Sequence, residues 1–190
     1  MTFDYRGFGK SSDFPIDRSN LYPIEFTYDL ITVVKETDRR FPHKRIGVRV
    51  LSMGTMILTR AMESIKKTPD FAIGDGFVAH ITKAAERIRK VKNDSVKLPE
   101  SNEVYQRSLS NLKLPFLIFA ASKDPATTAS DAQNIKSKIN ASKCEIIIYE
   151  GEHLRGFHKQ VLSLLANKLL TSLRSNCLLV LRMVEGFLEN

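Results

Sequence analysis

The feature that most constrains this chain is a junction without a spacer. Ile46 to Leu51 is a short, β-branched, apolar run that reads as a buried strand, and Ser52-Met53-Gly54 follows it directly. Ile57, Leu58, Ala61, Met62 and Ile65 then restore a helical period at once. A strand that turns straight into a helix at Ser52 fixes two things. It demands a sheet whose next strand is reached through a helix, and it holds one hydroxyl at the carboxyl end of a strand.

The rest of the chain repeats the alternation. Residues 1–5 read as the end of a strand, and Arg6 to Ser12 as a glycine-bearing loop. Pro23 suits the first turn of a helix carried by Phe26, Leu30, Val33, Val34 and Thr37 and closed by Pro42. Phe71 to Ile73 is another short strand, ended by Gly74-Asp75-Gly76. Residues 79–113 are polar and helical in tone. Pro115 to Ala121 is continuously apolar, as expected of a strand buried on both faces. Helical period over Ala126–Ile139, a strand over Cys144–Tyr149 and a helical stretch from Phe157 onward complete the order. Strands alternating with helices predict an α/β fold: a mostly parallel sheet with helices on both faces, in a single domain over residues 1–190.

Composition narrows the function classes. Apolar residues make up 43% and charged residues 26%, the balance of a globular protein rather than a disordered or fibrous one. The most apolar region, Leu162 to Leu188, is interrupted by Lys168, Arg174 and Arg182, so no membrane span is expected. No secretory signal pattern opens the sequence, which predicts a cytoplasmic location. Cys144 and Cys177 have no disulfide-framework or metal-ligand spacing and read as buried thiols. The net charge is +8, but the excess is spread, 17 basic against 12 acidic residues in 1–95 and 12 against 9 in 96–190. The densest basic run, Lys83 to Lys97, lacks interleaved aromatics and reads as a solvated helix face, so no nucleic-acid partner is expected. No Walker-type phosphate loop and no His/Cys/carboxylate cluster occurs, so no metal or other cofactor is expected.

Open parallel sheets place function just past the carboxyl ends of their strands. Ser52, Asp124 and His153 fall at such ends. Each alone has an ordinary reading: a serine helix cap, an Asp-Pro turn, a surface histidine. Together they run in the order Ser…Asp…His, which suits a hydroxyl activated by an imidazole that a carboxylate orients. Asp75, at the end of the strand 71–73, is an alternative acid, and His158 a weaker alternative to His153. His43 and His80 read as surface residues.

On these motifs the sequence resembles the α/β-hydrolase superfamily. Phe3-Asp4-Tyr5-Arg6-Gly7-Phe8-Gly9-Lys10-Ser11 is similar to the loop before the family's elbow strand. Leu51-Ser52-Met53-Gly54-Thr55 resembles the nucleophile elbow, Pro115 to Asp124 the acid strand, and Glu150-Gly151-Glu152-His153 the histidine loop. The resemblance implies Ser52 as nucleophile, His153 as general base and acid, Asp124 as orienting acid, and the Met53 N–H as one oxyanion donor. It implies a small helical cap over residues 79–113 and a small acyl substrate, an ester or thioester. Two departures stand out. Val50 occupies the position two before the serine where the family prefers glycine, and Arg49 lies in what should be a buried strand. The family also has strands before the Phe3–Ser11 motif. The chain is therefore expected to be amino-terminally truncated, to lack the loop supplying a second oxyanion donor, and to leave a sheet edge open to self-association. The alternative reading is a catalytically silent remnant acting as an interaction module.

Overall fold

The computed structural model describes residues 1–65, 69–93, 96–139, 144–158 and 161. Among them four strands form one sheet: β1 (Gly47–Leu51), β2 (Phe71–Asp75), β3 (Phe116–Ala121) and β4 (Cys144–Tyr149), in the spatial order β1-β2-β3-β4. Every pairing among the described strands is parallel, in line with the mostly parallel sheet expected. Five helices accompany it: α1 (Glu25–Arg40), α2 (Met53–Ala61), α3 (Ile81–Lys92), α4 (Asn102–Leu109) and α5 (Ala129–Ile135).

Alternation along the strands splits the core into two. Phe116, Ile118 and Ala120 of β3 join a large cluster that takes in Phe26 and Leu30 of α1, Met56 to Leu58 of α2, Tyr105 and Leu109 of α4 and Ile135 of α5. Leu117, Phe119 and Ala121 point the other way, into a smaller cluster with Ile73, Tyr149, Phe157 and Val161. The two-residue period of a strand forces this division, and β3 is buried at every position because both faces are covered. The helical stretch expected from Phe157 onward, and with it Cys177, lies almost wholly outside the described residues. Cys144 is half-buried, and burial raises its thiol pKa.

Residues 1–5 are not a strand. They have no backbone ladder partner among the described residues, and an extended segment without a neighbour to pair with stays irregular. Their side chains still pack: Tyr5 stacks on Phe26 with ring centroids 4.5 Å apart. The following loop is clamped to α1 by Arg6, whose Nη2 lies 2.6 Å from Asp29 Oδ1 while its backbone N–H donates to Oδ2 at 3.1 Å. The helix expected over 126–139 is confined to Ala129–Ile135, because Asp124 and Thr127 close a turn ahead of it and Thr128 caps it. Helix α2 begins at Met53, four residues earlier than its first clear apolar repeat, because the turn at Ser52 leads into it directly.

Arg49 is not buried. It sits exposed on β1, which has only β2 beside it among the described residues, and its guanidinium carbon lies 4.4 Å from the Phe157 ring centroid. Val50 is buried in the larger cluster. A Cβ placed on Gly54 would meet the Val50 Cβ at 3.5 Å, an ordinary contact. Strand and helix thus separate enough at the elbow to hold a valine where glycine is preferred.

Candidate active site

Ser52 lies between β1 and α2 at φ 45° and ψ −111°. Its N–H donates to the Asp75 carbonyl at 2.9 Å, and its carbonyl accepts from the Thr55 N–H at 2.9 Å and the Thr55 hydroxyl at 2.7 Å. The buried Thr55 hydroxyl also accepts from the Val78 N–H at 3.1 Å, which joins the elbow to the segment after β2. The Ser52 side chain makes no cap bond to the helix behind it. Its hydroxyl instead lies 3.0 Å from His153 Nε2. The ordinary reading of a helix-capping serine therefore does not apply.

His153 follows β4 on the loop Glu150–Gly156. Its Nδ1 stands 2.5 Å from Asp124 Oδ2, and the Asp124 side chain is 1% exposed. Asp124 closes the turn after β3 as an Asp-Pro pair should: Oδ1 accepts from the Ala126 N–H at 2.8 Å and the Thr127 N–H at 2.9 Å. Its other oxygen also accepts from the Thr127 hydroxyl at 2.5 Å. One carboxylate thus makes the turn with one oxygen and meets the imidazole with the other. Burial pushes the Asp124 pKa up, but the bonds from His153, Thr127 and Ala126 outweigh it and hold the group below the ordinary carboxylate value. A negative charge beside Nδ1 favours the tautomer with the proton there, leaving Nε2 free to accept from Ser52.

Asp75, the alternative acid, lies elsewhere. It is fully buried at the end of β2, and its carboxylate accepts from the Tyr149 hydroxyl at 3.2 Å and the Gly156 N–H at 2.8 Å. The Tyr149 hydroxyl oxygen also accepts from the Arg155 N–H at 2.9 Å and lies 3.1 Å from the Glu152 carbonyl. Burial raises the Asp75 pKa, and these bonds only partly oppose it. This cluster ties down both ends of the loop that carries His153. The sequence does not mark Tyr149 and Gly156, whose partner Asp75 is distant in the chain, nor Thr127, which an Asp-Pro turn leaves looking like an ordinary turn residue. The sequence marks Gly76 only as a strand end. It holds φ 67°, and a Cβ there would come within 2.9 Å of His153 Cε1, so the position needs glycine twice over.

The remaining histidines do other things. His80 caps α3 by accepting from the Lys83 N–H at 3.4 Å. His158 contacts Arg155, and His43 is exposed in a turn. Among the described residues no group of His, Cys, Asp and Glu could hold a metal ion, and no helix is long and apolar enough to cross a membrane.

A cavity of about 280 Å³ opens beside Ser52 and Met53. Leu21, Met56, Val78, Ala84 and Ile88 supply apolar wall, and Arg18, Asn20 and Thr127 polar groups. Met53 is the first residue of α2, so its N–H is one of the helix-start donors with no intrahelical acceptor.

No protein-family profile matches the chain, and no curated protein does. Solved structures do. The Pyrococcus furiosus esterase Pf2001 superposes with a TM-score of 0.65 at 22% identity, over 88% of this chain and 68% of that one. A Paleococcus ferrophilus monoacylglycerol lipase gives 0.62 at 11% identity, over 97% and 82%. An alpha-beta serine hydrolase homologue from Coxiella burnetii gives 0.54 at 17%, over 85% and 62%. The chain thus spans roughly three fifths to four fifths of the length of these proteins. At such identities the likeness concerns architecture, and the architecture is that of an α/β-hydrolase-like fold.

Proposed function

We propose that this chain is a serine hydrolase that cleaves a carboxylic ester, thioester or related acyl bond through an acyl-enzyme on Ser52. One observation carries the reading: the Ser52 hydroxyl, the His153 imidazole and the Asp124 carboxylate form a continuous hydrogen-bonded chain, with separations of 3.0 Å and 2.5 Å, beside a cavity lined by both apolar and polar groups. The esterases and lipases among the structural neighbours support the same class.

In this mechanism His153 Nε2 takes the Ser52 proton as Oγ attacks the acyl carbon. Charge collects on the carbonyl oxygen, where the Met53 N–H and the amino end of α2 stabilise it. The imidazolium, held by Asp124, gives its proton to the departing alkoxide or thiolate, and the C–O or C–S bond breaks. Water then enters. His153 takes one of its protons, the hydroxide adds to the acyl carbon, and Ser52 leaves with its proton restored while the carboxylic acid departs. Helix α3, within the stretch 79–113, acts as a small cap, since Ala84 and Ile88 wall the cavity over Ser52.

Labelling with an activated fluorophosphonate tests the reading. Covalent modification at Ser52, lost in Ser52→Ala and in heat-unfolded protein, is the expected result. Folded protein that stays unlabelled, and that turns over no short-chain aryl ester, favours the silent remnant instead.

A further inference from the structure

We propose that the cavity beside Ser52 selects acyl substrates bearing a carboxylate, and that Arg18 is the residue that selects them. The inference rests on the hydrolase reading above and names its substrate class.

Among the described residues that line the cavity, Arg18 is the only charged one, and no carboxylate side chain joins it there. Its neighbour Asp17 is already engaged. Asp17 Oδ1 accepts from the Ser19 N–H at 2.9 Å, and Oδ2 meets the Asn20 amide at 3.4 Å and Lys97 Nζ at 3.8 Å. Among the described residues no ion pair or hydrogen bond of the Arg18 guanidinium is found. Among the described residues, this cation at the cavity wall thus has no internal partner.

The segment that carries it is fixed. The Asn20 N–H donates to the Asp17 carbonyl at 3.1 Å, which closes a turn around Arg18. The Leu21 N–H donates to the Lys97 carbonyl at 2.9 Å, and the Lys97 N–H to the Ser19 carbonyl at 2.6 Å. These bonds anchor the turn to the segment after α3, so less entropy is lost when a ligand is bound.

The chemistry follows. A guanidinium is always charged and presents a planar fork that matches a carboxylate in two parallel bonds. One cation and no second one among the described lining residues suits a single negative charge better than a phosphate dianion. A volume of about 280 Å³ holds roughly nine water-sized groups at ~30 Å³ each, enough for a short acyl chain with a terminal carboxylate. The protein's net charge of +8 favours the approach of an anion.

The test compares two aryl esters of equal chain length: the 4-nitrophenyl half-ester of glutaric acid, which keeps a free carboxylate, and 4-nitrophenyl pentanoate, which is neutral. Wild-type protein is expected to favour the half-ester in kcat/KM by about fivefold to thirtyfold at low salt, the equivalent of about one to two kcal/mol. Added salt should shrink that ratio. Arg18→Ala should bring it near one, and Arg18→Glu below one. A wild-type ratio at or below one, or a ratio that Arg18→Ala leaves intact, overturns the proposal while the hydrolase reading stands. If neither ester is turned over, the hydrolase reading fails and the binding site is tested alone. Calorimetric binding of glutarate that Arg18→Ala removes then supports it, and absence of binding refutes it.

Discussion

Ser52 holds backbone torsions that a residue with a side chain adopts at a cost on the order of 1–3 kcal/mol. The bonds from its own peptide to Asp75 and Thr55 are what sustain that conformation. Its benefit is direction: the hydroxyl leaves the helix end it would otherwise cap and meets His153. Asp124 is the residue on which the imidazole's tautomer depends. Asp124→Asn should keep the turn after β3, because an amide oxygen still accepts from Ala126 and Thr127, yet lower kcat about 10⁴-fold with little change in KM. Steady-state kinetics on a short aryl ester checks this, and a loss below tenfold would contradict the assigned role. The same carboxylate links pH to stability. Its folded pKa is depressed, so its contribution is fully present above the unfolded value of about 3.9 and is lost as pH falls through the lower folded value. Urea unfolding at stepped pH should therefore show a gap between wild type and Asp124→Asn that is constant at neutral pH and narrows in acid.

At the scale of elements, strand ends set the site. β1 delivers Ser52, the turn after β3 delivers Asp124, and the loop after β4 delivers His153. That loop contains Leu154 at φ 61°, an uncommon torsion for leucine, and it stays in place through Tyr149, Asp75 and Gly156. Tyr149→Phe removes a donor to a buried carboxylate and strands the Arg155 N–H. The expected destabilisation is about 1–3 kcal/mol. If the loop positions the imidazole, kcat should also fall about tenfold or more while KM moves little, and fluorophosphonate labelling should slow in parallel. Unaltered labelling by a destabilised but folded variant would reduce Tyr149 to a packing residue. Asp75 itself was legible as a carboxylate at a strand end but not as this anchor, since Tyr149 and Gly156 reach it only through folding.

For the whole molecule, the cavity is where distant segments become one surface. Leu21 precedes α1, Met56 belongs to α2, Ile88 to α3 and Ala126 to the turn after β3, and all four line it. On the proposed hydrolase reading, its volume limits the acyl chain the site can take. Ile88→Ala removes three carbons from the wall, so the preferred straight-chain length should rise by about two or three carbons, each methylene being worth about 1–3 kcal/mol in an apolar pocket. A series of 4-nitrophenyl esters from acetate to decanoate measures the shift. An unchanged optimum would mean that the acyl group does not lie against α3.

The sequence alone determined the alternation of strands and helices, the parallel sheet and the three side chains at strand ends. Each of these follows from local patterns: hydrophobic period, turn chemistry, and a helix starting with no spacer after a strand. It also marked Val50 and Arg49 as anomalies. Only the tertiary structure decided what became of them, with room at the elbow for the valine and an exposed position on β1, an edge strand among the described residues, for the arginine. It likewise left residues 1–5 irregular, because a strand exists only with a partner. It separated the two aspartates, sending one to the imidazole and burying the other beneath the histidine loop. Distances between groups remote in the chain depend on how strand ends and loops pack together, and no local pattern carries that information.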